Sequence, residues 1–272
     1  MTIRAGVAGW PIAHSLSPVI HGAWLEAAGL DATYERHGPQ DEDAFRALVG
    51  RIRAGELIGL NVTAPWKEVA LSLADADSET ARACGSANLL WLDDGVLRAD
   101  STDGQGLMAA LREQAPGLDA AGKVAVVLGA GGASRAAVHA LGQAFAEVRI
   151  VNRTADRAVQ LVADLQPHTP AALTHKDLDE ALEGAVLVVN ALSVAPRIDV
   201  TALGPETVLM DMTYRPLRTT LLAEGAARGH ATVDGLAMLI GQARPSFETL
   251  FGRPVPDVDV RAAALAALEA TG

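Results

Sequence analysis

The sequence predicts an α/β protein of two domains, and three observations predict it. Strand-like apolar runs alternate with helical patterns along both halves of the chain. One of those runs, residues 124–128, enters the glycine-rich turn Gly129-Ala130-Gly131-Gly132-Ala133-Ser134-Arg135, and a helical pattern begins at once. Closely spaced glycines let the backbone turn tightly and approach a phosphate, and a helix start offers it N–H groups and the positive end of a dipole. The next strand, 148–151, ends in Asn152-Arg153-Thr154. A dinucleotide with a free ribose 2′-hydroxyl is usually held there by an acidic residue. An arginine between small hydrogen-bonding residues suits a 2′-phosphate instead, so the expected cofactor is NADP(H).

The elements follow in order. Residues 3–8 read as a buried strand. Ser17-Pro18 reads as a helix cap followed by proline in the first turn. Ile20, Trp24, Leu25 and Ala28 then share an apolar face, and Gly29 stops the helix. A second amphipathic helix covers 41–52, a strand 57–62, and Pro65 starts a helix to about 74. Runs 87–92 and 96–98 flank the hairpin turn Asp93-Asp94-Gly95. From about 104 a helix over 107–111 leads into strands at 124–128, 148–151, 186–189 and 208–210, with a short one near 232–233. Helices at 133–141, 155–165 and 221–228 lie between them, a Rossmann-like order. Helices over 236–251 and 260–269 end the chain.

Composition narrows the classes. The 272 residues are half apolar, enough for real cores, and no apolar run spans a bilayer. The N-terminus has no signal-peptide layout, and the lone Cys84 fits a reducing compartment, so a cytoplasmic protein is expected. A net charge of −11 argues against nucleic acid and anionic membranes. Anionic small molecules would need local cations, and Arg135, Arg153 and Lys67 are placed to supply them. His14 and His21 have no metal-like spacing and read as structural, so no metal is expected.

Three polar clusters stand out in the first hundred residues. They are Gly9-Trp10-Pro11-Ile12-Ala13-His14-Ser15-Leu16-Ser17-Pro18, then Gly59-Leu60-Asn61-Val62-Thr63-Ala64-Pro65-Trp66-Lys67-Glu68, then Gly85-Ser86-Ala87-Asn88 followed by Ser101-Thr102-Asp103. Ser15 and Ser17 bracket a helix start, where a carboxylate finds hydroxyl donors, although Ser17 could simply cap its own helix. Lys67 falls in a first helical turn. The dipole there favours a neutral amine and a nearby carboxylate favours the ammonium, a balance that suits a proton-transfer group. Asp103 is the natural carboxylate, or else an N-cap for the helix near Gln105. Asn61, Thr63 and Asn88 carry short hydrogen-bonding side chains at strand ends, and a structural turn role is favoured for Asn61. Met238 and Gln242 share a helix face.

Together with the glycine turn, Asn152-Arg153-Thr154 and Asp234-Gly235-Leu236-Ala237-Met238-Leu239-Ile240-Gly241-Gln242, these clusters resemble the shikimate dehydrogenase family over nearly the whole chain. The resemblance implies a substrate-binding domain over 1–103, completed by 236–272, an NADP-binding Rossmann domain over 104–235, and a cleft between them. It implies Lys67 and Asp103 as a catalytic pair, and Ser15, Ser17, Thr63, Asn88, Tyr214 and Gln242 as contacts to shikimate or 3-dehydroshikimate. It assigns Gly129, Ala130, Gly131, Gly132, Ala133, Asn152, Arg153, Thr154 and Met238 to NADP(H), in a monomer or homodimer. The chain departs from the family pattern at Ser101 (usually Asn), at Leu89 (usually Thr) and at Leu192–Ala195, after Asn190-Ala191. Those departures keep a related quinate or aminoshikimate dehydrogenase open. A non-catalytic NADP-binding regulatory homologue is the rival from another class, and the intact Lys67 and Asp103 count against it.

Overall fold

The computed structural model describes residues 2–270, which form two units. Asp103–Gly241 make one, and the residues on either side of that span make the other.

The flanking unit is built on a mixed six-stranded sheet. Its strands are β1 (Ile3–Ala8), β2 (Ala32–His37), β3 (Gly59–Val62), β4 (Ala76–Asp77), β5 (Leu89–Asp93) and β6 (Val96–Asp100), in the order β2-β1-β3-β5-β6-β4. Its helices are α1 (Ser17–Ala27), α2 (Glu42–Arg53), α3 (Lys67–Leu73) and α4 (Glu79–Cys84). β1 runs parallel to β2 and β3, whereas β3, β5 and β6 are successively antiparallel. The C-terminal ends of β1, β3 and β6 and the start of β5 therefore lie at one edge of the sheet. Under it, Phe45, Leu48 and Ile52 of α2 pack with Leu57, Leu60, Leu90 and Leu97. The hairpin turn holds both Asp94 (φ 50°) and Gly95 (φ 80°) in the left-handed region, as a two-residue turn matched to strand twist requires.

The other unit contains α5 (Asp103–Gln114), β7 (Val124–Leu128), α6 (Gly132–Gly142), β8 (Glu147–Val151), α7 (Ala155–Leu165), β9 (Ala172–His175), α8 (Leu178–Leu182), β10 (Ala185–Asn190), β11 (Val208–Asp211), α9 (Thr220–Ala227) and β12 (Thr232–Val233). Its sheet is wholly parallel, in the order β12-β11-β10-β7-β8-β9. That is the doubly wound Rossmann order, with the switch point between β7 and β10. Alternation along β7 feeds two cores: Ala125 and Val127 face one helical layer, Val126 and Leu128 the other. α10 (Gly235–Phe251) crosses from this unit into the first, and α11 (Val260–Glu269) follows.

Several elements depart from the sequence expectation. β2, β4, α4, β9 and α8 carry too little hydrophobic pattern to predict, because β2, β4 and β9 sit at sheet edges and α4 and α8 are very short helices. Ser17 is the first residue of α1, not its cap; Leu16 precedes it, and no side-chain cap bond forms there. α3 begins at Lys67, two residues after Pro65. Asn61 lies inside β3 with 5% exposure, so its structural role is in the sheet and not in a turn. No helix among the described residues is long and apolar enough to cross a membrane.

Candidate active site

The glycine turn follows β7 at the switch point. Gly129 has φ +118°, and a Cβ on it would lie 2.9 Å from Ser134 Oγ and 3.3 Å from Leu192 Cδ2. Its N–H donates to Val151 O at 2.8 Å, which closes the turn onto β8. Gly131 is different. Its φ of −98° is open to any residue, and a Cβ on it would meet nothing within 4 Å. Neither fold nor packing asks for glycine there. A ligand lying close against this backbone would, and a helix start such as that of α6 is favourable to an anion. Ser134 Oγ accepts from Gly131 N–H at 3.3 Å and steadies the loop.

At the end of β8, Asn152 Nδ2 donates to Thr154 O at 2.8 Å, and Arg153 between them is exposed. Thr154 precedes α7 without a side-chain cap bond, so its hydroxyl is not spent on the helix. An exposed guanidinium on a short constrained turn, one strand from the glycine loop, fits a 2′-phosphate. Arg135, offered by the sequence as a further local cation, instead pairs with Asp164 Oδ2 of α7 at 2.9 Å. Burial raises the Asp164 pKa, but the hydrogen bonds from Gln160 and Arg135 outweigh it and hold the carboxyl below its ordinary value. Met238 is 7% exposed and packs within the core of this unit from the first turn of α10. Tyr214 lies half-buried on the segment after β11. Asp103 opens α5 and is 6% exposed. The residues of the turn and of the β8 end thus fit a phosphorylated dinucleotide.

In the first unit the predicted polar residues gather at one edge of the sheet. Thr63 follows β3, Lys67 opens α3, Asn88 immediately precedes β5, and Ser101-Thr102 follow β6. Leu89 pairs with both Asn61 and Asp100, which fixes that alignment. Lys67 is half-buried, and its carbonyl accepts from Ala87 N–H at 2.9 Å. Ser15 Oγ accepts from Ser17 N–H, the first N–H of α1, at 3.3 Å. The Ser15 carbonyl is gripped by Arg36 through Nε at 3.0 Å and Nη2 at 2.6 Å.

Asn88 and Gln242 meet directly. Asn88 Nδ2 donates to Gln242 Oε1 at 3.2 Å and to Thr102 Oγ1 at 2.9 Å, and its Oδ1 accepts from Thr102 N–H at 2.7 Å. Thr102 Oγ1 donates to Gln242 O at 3.0 Å. Thr102 and Ser246 belong to this group, and sequence reasoning assigned neither. Ser246 was within reach of it, since it stands one helical turn after Gln242. His21, read as structural, is wholly buried in the core, whereas His14 is exposed. Among the described residues, no group of three or more His, Cys, Asp or Glu is placed to hold a metal.

Comparison with known proteins covers both units. Residues 7–90 match a family described as the shikimate dehydrogenase substrate binding domain, and residues 110–203 one described as shikimate / quinate 5-dehydrogenase. A Caulobacter vibrioides protein named shikimate dehydrogenase (NADP(+)) is 48% identical over 272 residues, covering 97% of this chain and 95% of that protein. A Rhizobium rhizogenes protein of the same name is 43% identical, covering 98% and 96%. A solved Thermus thermophilus shikimate 5-dehydrogenase, in complex with NADP(H) and shikimate, superposes with a TM-score of 0.87 at 35% identity, over 97% of this chain and 99% of that one. A quinate dehydrogenase from Corynebacterium glutamicum in complex with NAD superposes at 0.88 with 26% identity, over 98% and 99%.

Proposed function

This chain belongs to the shikimate dehydrogenase family, and from that premise we propose that it catalyses the reversible NADPH-dependent reduction of 3-dehydroshikimate to shikimate, a step of aromatic amino acid (chorismate) biosynthesis. The observation that carries this reading is the 48% identity, over nearly full length, to a relative named for that activity and that cofactor.

When bound, NADPH supplies the hydride for the carbonyl carbon. Lys67 gives a proton to the carbonyl oxygen in reduction and takes it from the hydroxyl in oxidation. Asp103 accepts a hydrogen bond from a ring hydroxyl. Ser15 and Ser17, at the start of α1, hold the substrate carboxylate, to which the helix dipole is favourable. Thr63, Asn88 and Gln242 hold ring hydroxyls and fix the ring. The open space over Gly131 supports a pyrophosphate beside the start of α6, and exposed Arg153 supports a 2′-phosphate.

The test is a dehydrogenase assay with shikimate and quinate, each with NADP and NAD. Shikimate with NADP is expected to give the highest kcat/KM; a preference for NAD or for quinate overturns that part of the reading. Lys67→Ala is expected to lower kcat by roughly two to four orders of magnitude, the span of a positioned acid–base group, with shikimate binding weakened much less. Near wild-type turnover would remove Lys67 from its role.

A further inference from the structure

Asn61 places a side-chain amide in the middle of a strand whose neighbours are all buried. Such an amide is costly unless its hydrogen bonds are met. Tyr34 of β2 donates its hydroxyl to Asn61 Oδ1 at 2.8 Å. Asn61 Nδ2 donates to Asn88 O at 3.2 Å and to Ser246 Oγ at 2.8 Å. Having accepted there, the Ser246 hydroxyl gives its own proton to Gln242 O at 3.1 Å. Gln242 Oε1 in turn accepts from Asn88. The donors therefore point one way, from Tyr34 through Asn61 and Ser246 to the two residues read as substrate contacts.

The direction is set at the tyrosine end. A phenol that keeps its proton can donate to the amide oxygen, and the amide is then bound to aim both its hydrogens at Asn88 O and Ser246 Oγ. Burial raises the Tyr34 pKa well above its ordinary value, so the proton stays. The ring is held in place by face-to-face stacking on His21, with centroids 4.0 Å apart and planes 3° from parallel. Phe247, next to Ser246 on α10, packs against the same His21 at 6.0 Å.

We propose that Tyr34 is a positioning residue for substrate binding: its hydroxyl orients the Asn61 amide, which sets the place of Asn88 directly and of Gln242 through Ser246. The proposal rests on the reading of Gln242 and Asn88 as substrate contacts. It extends the site to a strand at the far edge of the sheet, beyond any residue expected to touch substrate.

Tyr34→Phe keeps the ring and its stack and removes one donor. The shikimate KM is expected to rise about three- to tenfold, the range of one lost hydrogen bond. The NADP KM is expected to stay unchanged and kcat to stay within about twofold, since a remote binding contact is lost and the reacting groups are untouched. Ser246→Ala cuts the same line nearer the site and is expected to give the same pattern, which keeps the test open if the tyrosine variant folds poorly. In a Gln242→Ala background, Tyr34→Phe is expected to add less than it does alone, since only the branch through Asn88 then reaches the substrate. A wild-type shikimate KM in folded Tyr34→Phe and Ser246→Ala, beside a Gln242→Ala that raises it, overturns the proposal alone. So does a Tyr34→Phe effect that persists in full without the Gln242 side chain. A Gln242→Ala with wild-type KM overturns the assignment of Gln242 itself, and the proposal with it.

Discussion

Gly129 and Gly131 stand two residues apart in one motif and answer to different constraints. Gly129 holds a backbone angle that L-residues rarely adopt, and a Cβ there would crowd Ser134 Oγ. Gly129→Ala is therefore expected to lower the melting temperature as well as cofactor affinity, through strain of about 1–3 kcal/mol. Gly131→Ala meets neither obstacle. Its melting temperature is expected to match wild type, while the NADP KM rises about tenfold or more, equivalent to ~1.4 kcal/mol. Thermal melts paired with NADP titrations separate the two, and a Gly131→Ala enzyme with wild-type NADP affinity would show that nothing approaches that backbone. Arg153→Ala is expected to lower kcat/KM with NADP by roughly tenfold to a hundredfold, the value of a charge-assisted hydrogen bond, and to leave NAD almost unaffected. Equal losses with both cofactors would make Arg153 a structural residue. His21 gives a fourth prediction. It is wholly buried, neither ring nitrogen finds a hydrogen-bond partner among the described residues, and burial lowers its pKa from 6.5 to about 3. The unfolded chain then binds the proton more readily, so stability is full above pH 6.5 and is lost as pH falls toward 3. The loss is roughly 1.4 kcal/mol per pH unit in that window. His37 adds to the same limb, its pKa lowered by burial and then by Arg51 and Arg4 against the opposing Glu35. Urea midpoints measured between about pH 6.5 and about pH 4.5, the span below the histidine value and above the carboxylates, are expected to fall less steeply for His21→Leu. An unchanged slope would mean that His21 is protonated in the folded protein.

At the scale of elements, the sequence reads well where an element buries one face or two. β7 is a run of apolar residues because both its faces are covered, and α2 shows its stripe at Phe45, Leu48, Val49 and Ile52. Edge strands carry no such mark: β2 reads Ala-Thr-Tyr-Glu-Arg-His and buries only Tyr34. That strand nevertheless supplies the donor behind Asn61, so a poorly patterned element can still serve the site. α10 is anchored at its start by a reciprocal pair. Gln114 Nε2 donates to Asp234 Oδ2 at 2.9 Å, Asp234 N–H donates to Gln114 Oε1 at 2.9 Å, and Asp234 Oδ1 caps the helix at Ala237 N–H. A Cβ on Gly235 would lie 2.3 Å from Met212 O, so the helix starts against the end of β11. Gln114→Ala removes both of its bonds and is expected to cost about 1–3 kcal/mol, read as a melting temperature lower by several degrees. A wild-type melt would show that solvent replaces Gln114 without loss.

At the scale of the molecule, the proposed function assigns different ligand chemistries to the sheets of the two units. Hydrogen exchange is expected to report them separately: NADP protects amides near Gly129–Ser134 and Arg153, shikimate those near Ser17, Asn88 and Gln242. Protection of both sets by either ligand alone would contradict that division. Much of this organisation was set by the sequence alone. The strand–helix alternation, the glycine turn and Arg153 are local signals, because a turn needing φ > 0 or a strand buried on both faces constrains the residues that form it. The clusters at Ser15, Lys67 and Asn88 were legible for the same reason, as polar residues placed where a core pattern ends. Only the tertiary structure decided which of them meet. The union of Asn88 with Gln242, and the line from Tyr34 through Asn61 to Ser246, join positions up to 185 residues apart. Those hydrogen bonds depend on strand order and register and on how α10 packs against the sheet edge, none of which leaves a periodic trace along the chain.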